Sequence, residues 1–188
     1  MTDVLSNLNP LSMREVPNLQ RLTALSQRHP SVDPVVVETY LHVLHAGNLL
    51  GRLEHRVLQQ FGLGHGRFCL LALCEEVGSE GHSPAHLAME CEVSRATITG
   101  LVDGLERDGF VERVPDAVDR RTVRVRLTES GQHVLGEVFP AVMEQISAAF
   151  EDLKSEDFRR LVQLLESTHS RCGRILGESD AVHETANV

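Results

Sequence analysis

Tryptophan is absent from the 188-residue chain, tyrosine occurs once and phenylalanine six times. A core so poor in large rings must be built from Leu, Val and Ala, which suits packed helices. The four cysteines (Cys69, Cys74, Cys91 and Cys172) form no CxxC pair. That spacing excludes a zinc ribbon and a thioredoxin-type centre, and leaves reduced cytosolic thiols as the expectation. No apolar run approaches the roughly 18 residues that span a bilayer. The start, MTDVLSNLNP, has neither the basic residues nor the apolar stretch of a secretory signal. A cytoplasmic protein with no membrane partner is therefore expected. There is no GxSxG, no Walker-type phosphate loop and no dinucleotide fingerprint, so neither enzymatic activity nor a cofactor is expected.

What is present describes a folded chain. Apolar residues make up 41% and charged residues 24%, enough for a core and too apolar for disorder. The length suits one ordinary domain or two small ones. The net charge of −9 opposes binding to nucleic acid, because phosphates repel an anion. The charge distribution reverses that repulsion locally. From Val111 to Arg126 stand Arg113, Arg120, Arg121, Arg124 and Arg126 against Glu112, Asp116 and Asp119. Five minus three is a local +2, leaving −11 for the rest of the chain.

Residues 1–18, with Pro10 and Pro17, read as a partly disordered arm. Asn18 caps a short predicted helix from Leu19 to Arg28, striped by Leu19, Leu22 and Leu25 and closed by Pro30 and Pro34. Apolar spacing from Val35 to Phe61 predicts a long amphipathic helix, broken by Gly62, Gly64 and Gly66. Phe68 to Val77 reads as a short, nearly buried helix. Ser83-Pro84 starts another. A turn at Glu92-Val93 leads to Ser94, the cap of a helix reaching about Asp108, with Ile98, Leu101, Val102 and Leu105 inward. Phe110–Val114 and Thr122–Leu127 alternate as strands around a loop, with Val123, Val125 and Leu127 on one face. Thr128 caps a further helix with Val134, Leu135, Val138, Phe139, Val142 and Ile146 inward, where Pro140 is expected to introduce a kink. A last helix starts at Ser155 and carries Phe158, Leu161, Val162, Leu165 and Ile175.

Two helices joined by a short turn, the second amphipathic, form a helix-turn-helix candidate. Arg95, Ala96, Thr97, Thr99, Gly100 and Asp103 face outward from the second. Arg reads guanine edges, Thr contacts a thymine methyl or a phosphate, and small residues permit close approach. A plain helix hairpin packed on its neighbours would show the same pattern. The basic strand pair after it favours DNA. Arg120 and Arg121 at a projecting tip suit a narrow minor groove, Asp119 can orient one of them, and Arg124 and Arg126 are expected to hold phosphates.

The stretch from Leu87 to Gly131 resembles the core of the MarR family of winged-helix transcription regulators. The resemblance rests on a wing signature: Asp119 and Arg121 at the tip, then Val125, Leu127 and Thr128. It extends over roughly Val35 to Leu176. It implies a mainly α fold with a small β-hairpin wing (α+β), a winged helix-turn-helix flanked by long dimerisation helices. Residues 19–61 and 129–176 would then be dimerisation helices, 62–128 the DNA-binding domain and 177–188 a disordered tail. The implied partners are double-stranded DNA at a palindromic operator, a second copy of the chain and a small-molecule effector. The function implied is repression relieved by that effector. Ser94, Arg95, Thr97 and Thr99 would meet the major groove, and Arg121, oriented by Asp119, the minor groove. The chain departs from the family pattern at Glu92, where Gly is common, and at Gly100 and Gly104, where longer polar residues are common.

The N-terminal part further resembles the branch with an extra helix, which includes urate-responsive repressors. That branch's Trp, Asp and Arg match Leu25, Cys69 and Gly100, none of which carries the chemistry, so no response to urate is expected. A small aromatic or anionic metabolite is the expected effector, lined by His42, His45, Arg67 and Cys69. Two alternatives remain. Glu38, His42 and His45 share a helix face and could hold zinc. A thiol could sense redox state, with Cys69 expected buried and inert and Cys172 more exposed. A winged helix that binds protein rather than DNA is the competing class of function.

Overall fold

The structure, a computed structural model, describes residues 24, 28–29, 31–116 and 122–177. The expected arm, the helix from Leu19 to Arg28 save residues 24 and 28, the wing tip and the tail after Gly177 lie outside them. One compact unit runs to Ile146 and a second begins at Ser147.

In the first unit, α1 (Pro34–Gln60) begins one residue before the predicted start. Pro34 fits the first turn, and the Asp33 carboxylate accepts the Val35 N–H at 2.8 Å. Its end is a left-handed Gly62, with the Leu63 N–H donating back to the Leu58 carbonyl at 3.0 Å. The next helix, α2 (His65–Glu76), starts three residues earlier than expected, because Gly64 serves as its cap and Gly66 is inside it. A 3₁₀ turn, Gly78–Glu80, precedes α3 (Pro84–Glu90), capped by Ser83, whose hydroxyl accepts the His86 N–H at 3.2 Å.

The turn after α3 holds Glu92 at φ 51°, the one non-glycine residue with positive φ among those described. An L-residue there costs roughly 1–2 kcal/mol, so glycine would fit this position with less strain. Then follow α4 (Arg95–Arg107), β1 (Val111–Pro115), β2 (Val123–Leu127) and α5 (Glu129–Ala148). The strands pair antiparallel with Val111 opposite Leu127 and Pro115 opposite Val123. The Thr128 hydroxyl accepts the Gly131 N–H at 3.0 Å and donates to the Gly109 carbonyl at 2.6 Å, joining the start of α5 to the end of α4.

Leu58, Leu70, Leu71, Leu87, Ile98, Leu105, Val125 and Val138 are buried together, so α1–α5 and β2 share one aliphatic core. Two inward expectations fail. Val123 is 40% exposed, because it lies at the neck of the wing beyond the core, and Phe139 on α5 is 49% exposed. Pro140 lies within α5 as expected. In the second unit, α6 (Ser155–Leu176) begins where the Lys154 N–H donates to the Asp157 carboxylate at 3.0 Å, and none of its residues is buried. No helix among the described residues is long and apolar enough to cross a membrane.

His82 ties the wing to the core. Its backbone bridges Val125 by two hydrogen bonds of 2.9 and 2.8 Å, and its Nε2–H donates to the Leu73 carbonyl at 3.1 Å. Burial, and then the neighbouring His86, lower its pKa below the usual histidine value. The unfolded chain therefore binds this proton more readily. The contribution is complete above about pH 6.5 and is lost as pH falls below it. The thermal midpoint should drop between pH 7 and pH 5, and drop less in His82→Gln. Equal drops in both would show that His82 is not responsible.

Candidate nucleic-acid interface

The α4 helix is held by its cap and its buried side. The Ser94 hydroxyl accepts the Thr97 N–H at 3.1 Å and lies 2.9 Å from the Thr97 hydroxyl, while Ile98, Val102 and Leu105 are buried. The opposite face presents Arg95, Ala96, Thr99 and Gly100 to solvent, and Thr97 is half-buried. Thr99 donates its hydroxyl proton to the Arg95 carbonyl at 2.9 Å, which leaves its methyl and oxygen outward. A Cβ on Gly100 would meet no atom within 4 Å. The result is a small-residue surface with one guanidinium at its N-terminal end.

Two carboxylates on this helix would repel phosphates, but Arg113 of β1 covers both. It donates to Asp103 at 2.6 Å and to Glu106. Burial disfavours its charge, yet the hydrogen bonds to these carboxylates more than offset that and raise its pKa. The role of Arg113 is invisible in the sequence, because it depends on the hairpin folding back along α4.

The other strand arginines correct the expectation that they stand ready for phosphates. Arg124 donates to Asp116 and, at 2.9 Å, to the Gly81 carbonyl. Asp116 is only 8% exposed, and its N–H donates to the Thr122 carbonyl at 2.9 Å, closing the neck of the wing. Arg126 donates to Glu112, directly opposite on β1, at 2.8 Å. These pairs fix the base of the wing. Asp119, Arg120 and Arg121 lie in the tip, outside the described residues.

The expected effector residues do not converge. His42 and His45 are exposed on α1, and Gly100 is on the outer face of α4. Arg67 pairs with Asp108 at the end of α4, with its Nε buried and unpaired. Leu25 lies outside the described residues. The zinc alternative is corrected too. His42 and Glu38 stand 3.9 Å apart, but no group of three or more His, Cys, Asp or Glu among the described residues could hold a metal.

Cys69 opens into a cavity. A groove of about 550 Å³ runs between α2, the turn after α3 and α4, lined by His65, Cys69, Leu73, Cys91, Val93 and Leu101, with Glu76, Glu90 and Glu92 around them. The burial expected of Cys69 belongs instead to Cys74, whose thiol burial pushes up to about 12. Cys69 is half-buried and faces His65, its Sγ 3.4 Å from Nε2. The His65 Nδ1 in turn lies 2.7 Å from Glu54 Oε2. Sequence reasoning missed His65 and Glu54. The i, i+4 spacing of His65 and Cys69 would have revealed the first, had α2 been started at its true beginning.

The model of the MarR family matches residues 65–123. The HTH-type transcriptional repressor YetL of Bacillus subtilis is 29% identical over 161 residues, covering 86% of this chain and 96% of the relative. The uncharacterised HTH-type transcriptional regulator YdcH of the same organism is 31% identical, covering 55% and 72% respectively. Among solved structures, CouR of Rhodococcus jostii RHA1, crystallised with p-coumaroyl-CoA, superposes with a TM-score of 0.63 at 25% identity, covering 69% of this chain and 90% of that one.

Proposed function

Since the chain belongs to the MarR family and is a DNA-binding transcriptional regulator rather than an enzyme, we propose that it works as a homodimeric cytoplasmic repressor. A small molecule would release it from a palindromic operator. The observation that carries the reading is the exposed small-residue face of α4, with Arg113 bonded to both of its carboxylates Asp103 and Glu106 and a braced wing beside it. Arg95 and Thr99 meet base edges in the major groove, and the helix start at Ser94 and Thr97 meets a phosphate. Arg121, oriented by Asp119 and accompanied by Arg120, enters the minor groove. Arg124 contributes by bracing the wing. The four free cysteines accord with a reducing cytoplasm.

The groove beside Cys69 is the reading's effector site. It adjoins Leu101 of α4 and the turn that sets α4's start, so an occupant would displace the reading helix. Its apolar walls suit an aromatic or otherwise neutral molecule. Glu76, Glu90 and Glu92 disfavour an anion, which sharpens the wider expectation of an aromatic or anionic metabolite.

Selection of bound sites from random DNA should return a palindrome with half-sites about one helical turn apart. On that site Arg95→Ala should lose about tenfold in affinity and relax the preference at one base pair, as expected for a guanine contact of ~1–3 kcal/mol. Arg121→Ala should weaken the cognate complex and flatten its salt dependence. Unchanged cognate affinity in Arg121→Ala would remove the wing from the reading. No binding by the wild type at low salt would favour a protein-interaction module.

A further inference from the structure

We propose that Cys69 is a nucleophilic thiol, activated by His65 and Glu54, that captures a small neutral α,β-unsaturated carbonyl compound covalently in the groove between α2 and α4. This deepens the effector reading above and rests on it. Three groups from two helices converge. Glu54 of α1 accepts from Nδ1 of His65 at 2.7 Å, and His65 presents Nε2 to the Cys69 sulfur at 3.4 Å. A nucleophile, a base within reach and a third group orienting the base constitute the arrangement that activates thiols.

The electrostatics agree with the geometry. The hydrogen bond with Cys69 does most to raise the His65 pKa, opposed by burial and helped by Glu54, to about 9. His65 is thus an imidazolium at neutral pH, and its Nε2 lies 3.4 Å from the Cys69 sulfur. Cys91 opens into the same groove, but burial raises its pKa, so it is the poorer nucleophile.

The step balances without an oxidant or a leaving group. The thiolate sulfur forms a bond to the β-carbon of the unsaturated carbonyl. The alkene π pair moves to the carbonyl oxygen as an enolate. The α-carbon then takes the proton that His65 holds. The surrounding carboxylates select against anionic electrophiles. The adduct would lie against Leu101 and push α4, with Arg95 and Thr99, out of register with the operator.

The experiment uses the reduced full chain with N-ethylmaleimide as the probe, following each cysteine by peptide mass spectrometry at pH 7. Cys69 should react about tenfold faster than glutathione under the same conditions. In His65→Gln that advantage should vanish, with the DNA affinity of the unmodified protein unchanged. In Glu54→Gln it should fall about threefold. A Cys69 rate no faster than glutathione, or undiminished in His65→Gln, overturns the proposal. Full labelling at Cys69 should weaken operator binding at least tenfold, whereas the saturated analogue N-ethylsuccinimide at equal concentration should not. Undiminished operator affinity after complete labelling also overturns it. Failure of the unmodified chain to bind DNA would instead refute the regulatory reading, leaving the labelling rates as a separate measure of the thiol.

Discussion

Replacing Gly131 with alanine should lower the thermal midpoint by about 10 °C. A Cβ there would lie 2.0 Å from the Phe110 carbonyl oxygen, 2.9 Å from its carbon and 3.2 Å from Leu127 Cδ2. The first two are backbone atoms and cannot rotate away. Nor can the two segments simply part. The Phe110 carbonyl accepts the Thr128 N–H at 3.1 Å, and the Phe110 N–H donates to the Leu105 carbonyl at 2.9 Å. On the other side, the Gly131 N–H is held by the Thr128 hydroxyl. Making room therefore breaks either the end of α4 or the start of α5. Overpacking of this kind costs typically 1–3 kcal/mol and occasionally more. At ~3 kcal/mol, a chain of this size moves by roughly 2–4 °C per kcal/mol. The control is Gly100→Ala, where the new Cβ meets nothing within 4 Å. That change should stabilise α4 by ~1 kcal/mol, the helix-propensity difference alone. Calorimetry on both variants separates the effects. Equal and small changes would mean that there is room for a Cβ at Gly131 beside the Phe110 carbonyl.

Because Phe110 closes α4 and opens β1, the Gly131 contact also bears on DNA binding. A variant that survives at low temperature should hold its wing at a different angle to α4. Operator affinity should then fall more steeply with temperature than in the wild type.

The parts that sequence made legible are those governed by local chemistry. Ser83, Ser94 and Thr128 cap helices because a hydroxyl satisfies an N–H two or three residues on, a pairing that spacing alone reveals. The alternation from Val123 to Leu127 marked a strand for the same reason. Local patterns misled where two roles share one residue type. Gly64 and Gly66 looked like breakers, yet the first caps α2 and the second lies within it. Phe139 fits the inward stripe of α5 by period, but periodicity cannot say how wide a stripe the neighbours cover. The site was legible in outline only. Arg113, Arg124 and Arg126 read alike as basic residues on a strand, and only the fold shows each facing a carboxylate. Glu54 and His65 are separated by the turn at Gly62, so no helical periodicity connects them.

Leu161→Asp with Leu165→Asp should abolish dimerisation and reduce affinity for a palindromic operator at least a hundredfold. α6 presents Phe158, Leu161, Val162, Leu164 and Leu165 to solvent within two turns, with Val162 52% and Leu164 55% exposed. A helix that buries none of its own residues gains little from propensity, and most helical stability in proteins comes from packing an apolar face. That packing must come from another surface, and a second copy of α6 offers the same stripe in an isologous arrangement. Leu161 and Leu165 are one turn apart and so share a face. Two carboxylates placed there would have to be desolvated without partners, a cost of several kcal/mol each. The consequence for DNA is larger than the interface change suggests. A dimer binds its second half-site intramolecularly, which multiplies affinity by roughly 10²–10⁴. Sedimentation should show a dimer for the wild type and a monomer for the double variant. Anisotropy should show the wild type preferring the palindrome over a single half-site by at least a hundredfold, and the variant binding both alike. A double variant that still sediments as a dimer would move the interface elsewhere, with α1 and its exposed Val36, Tyr40 and Val43 the next surface to mutate.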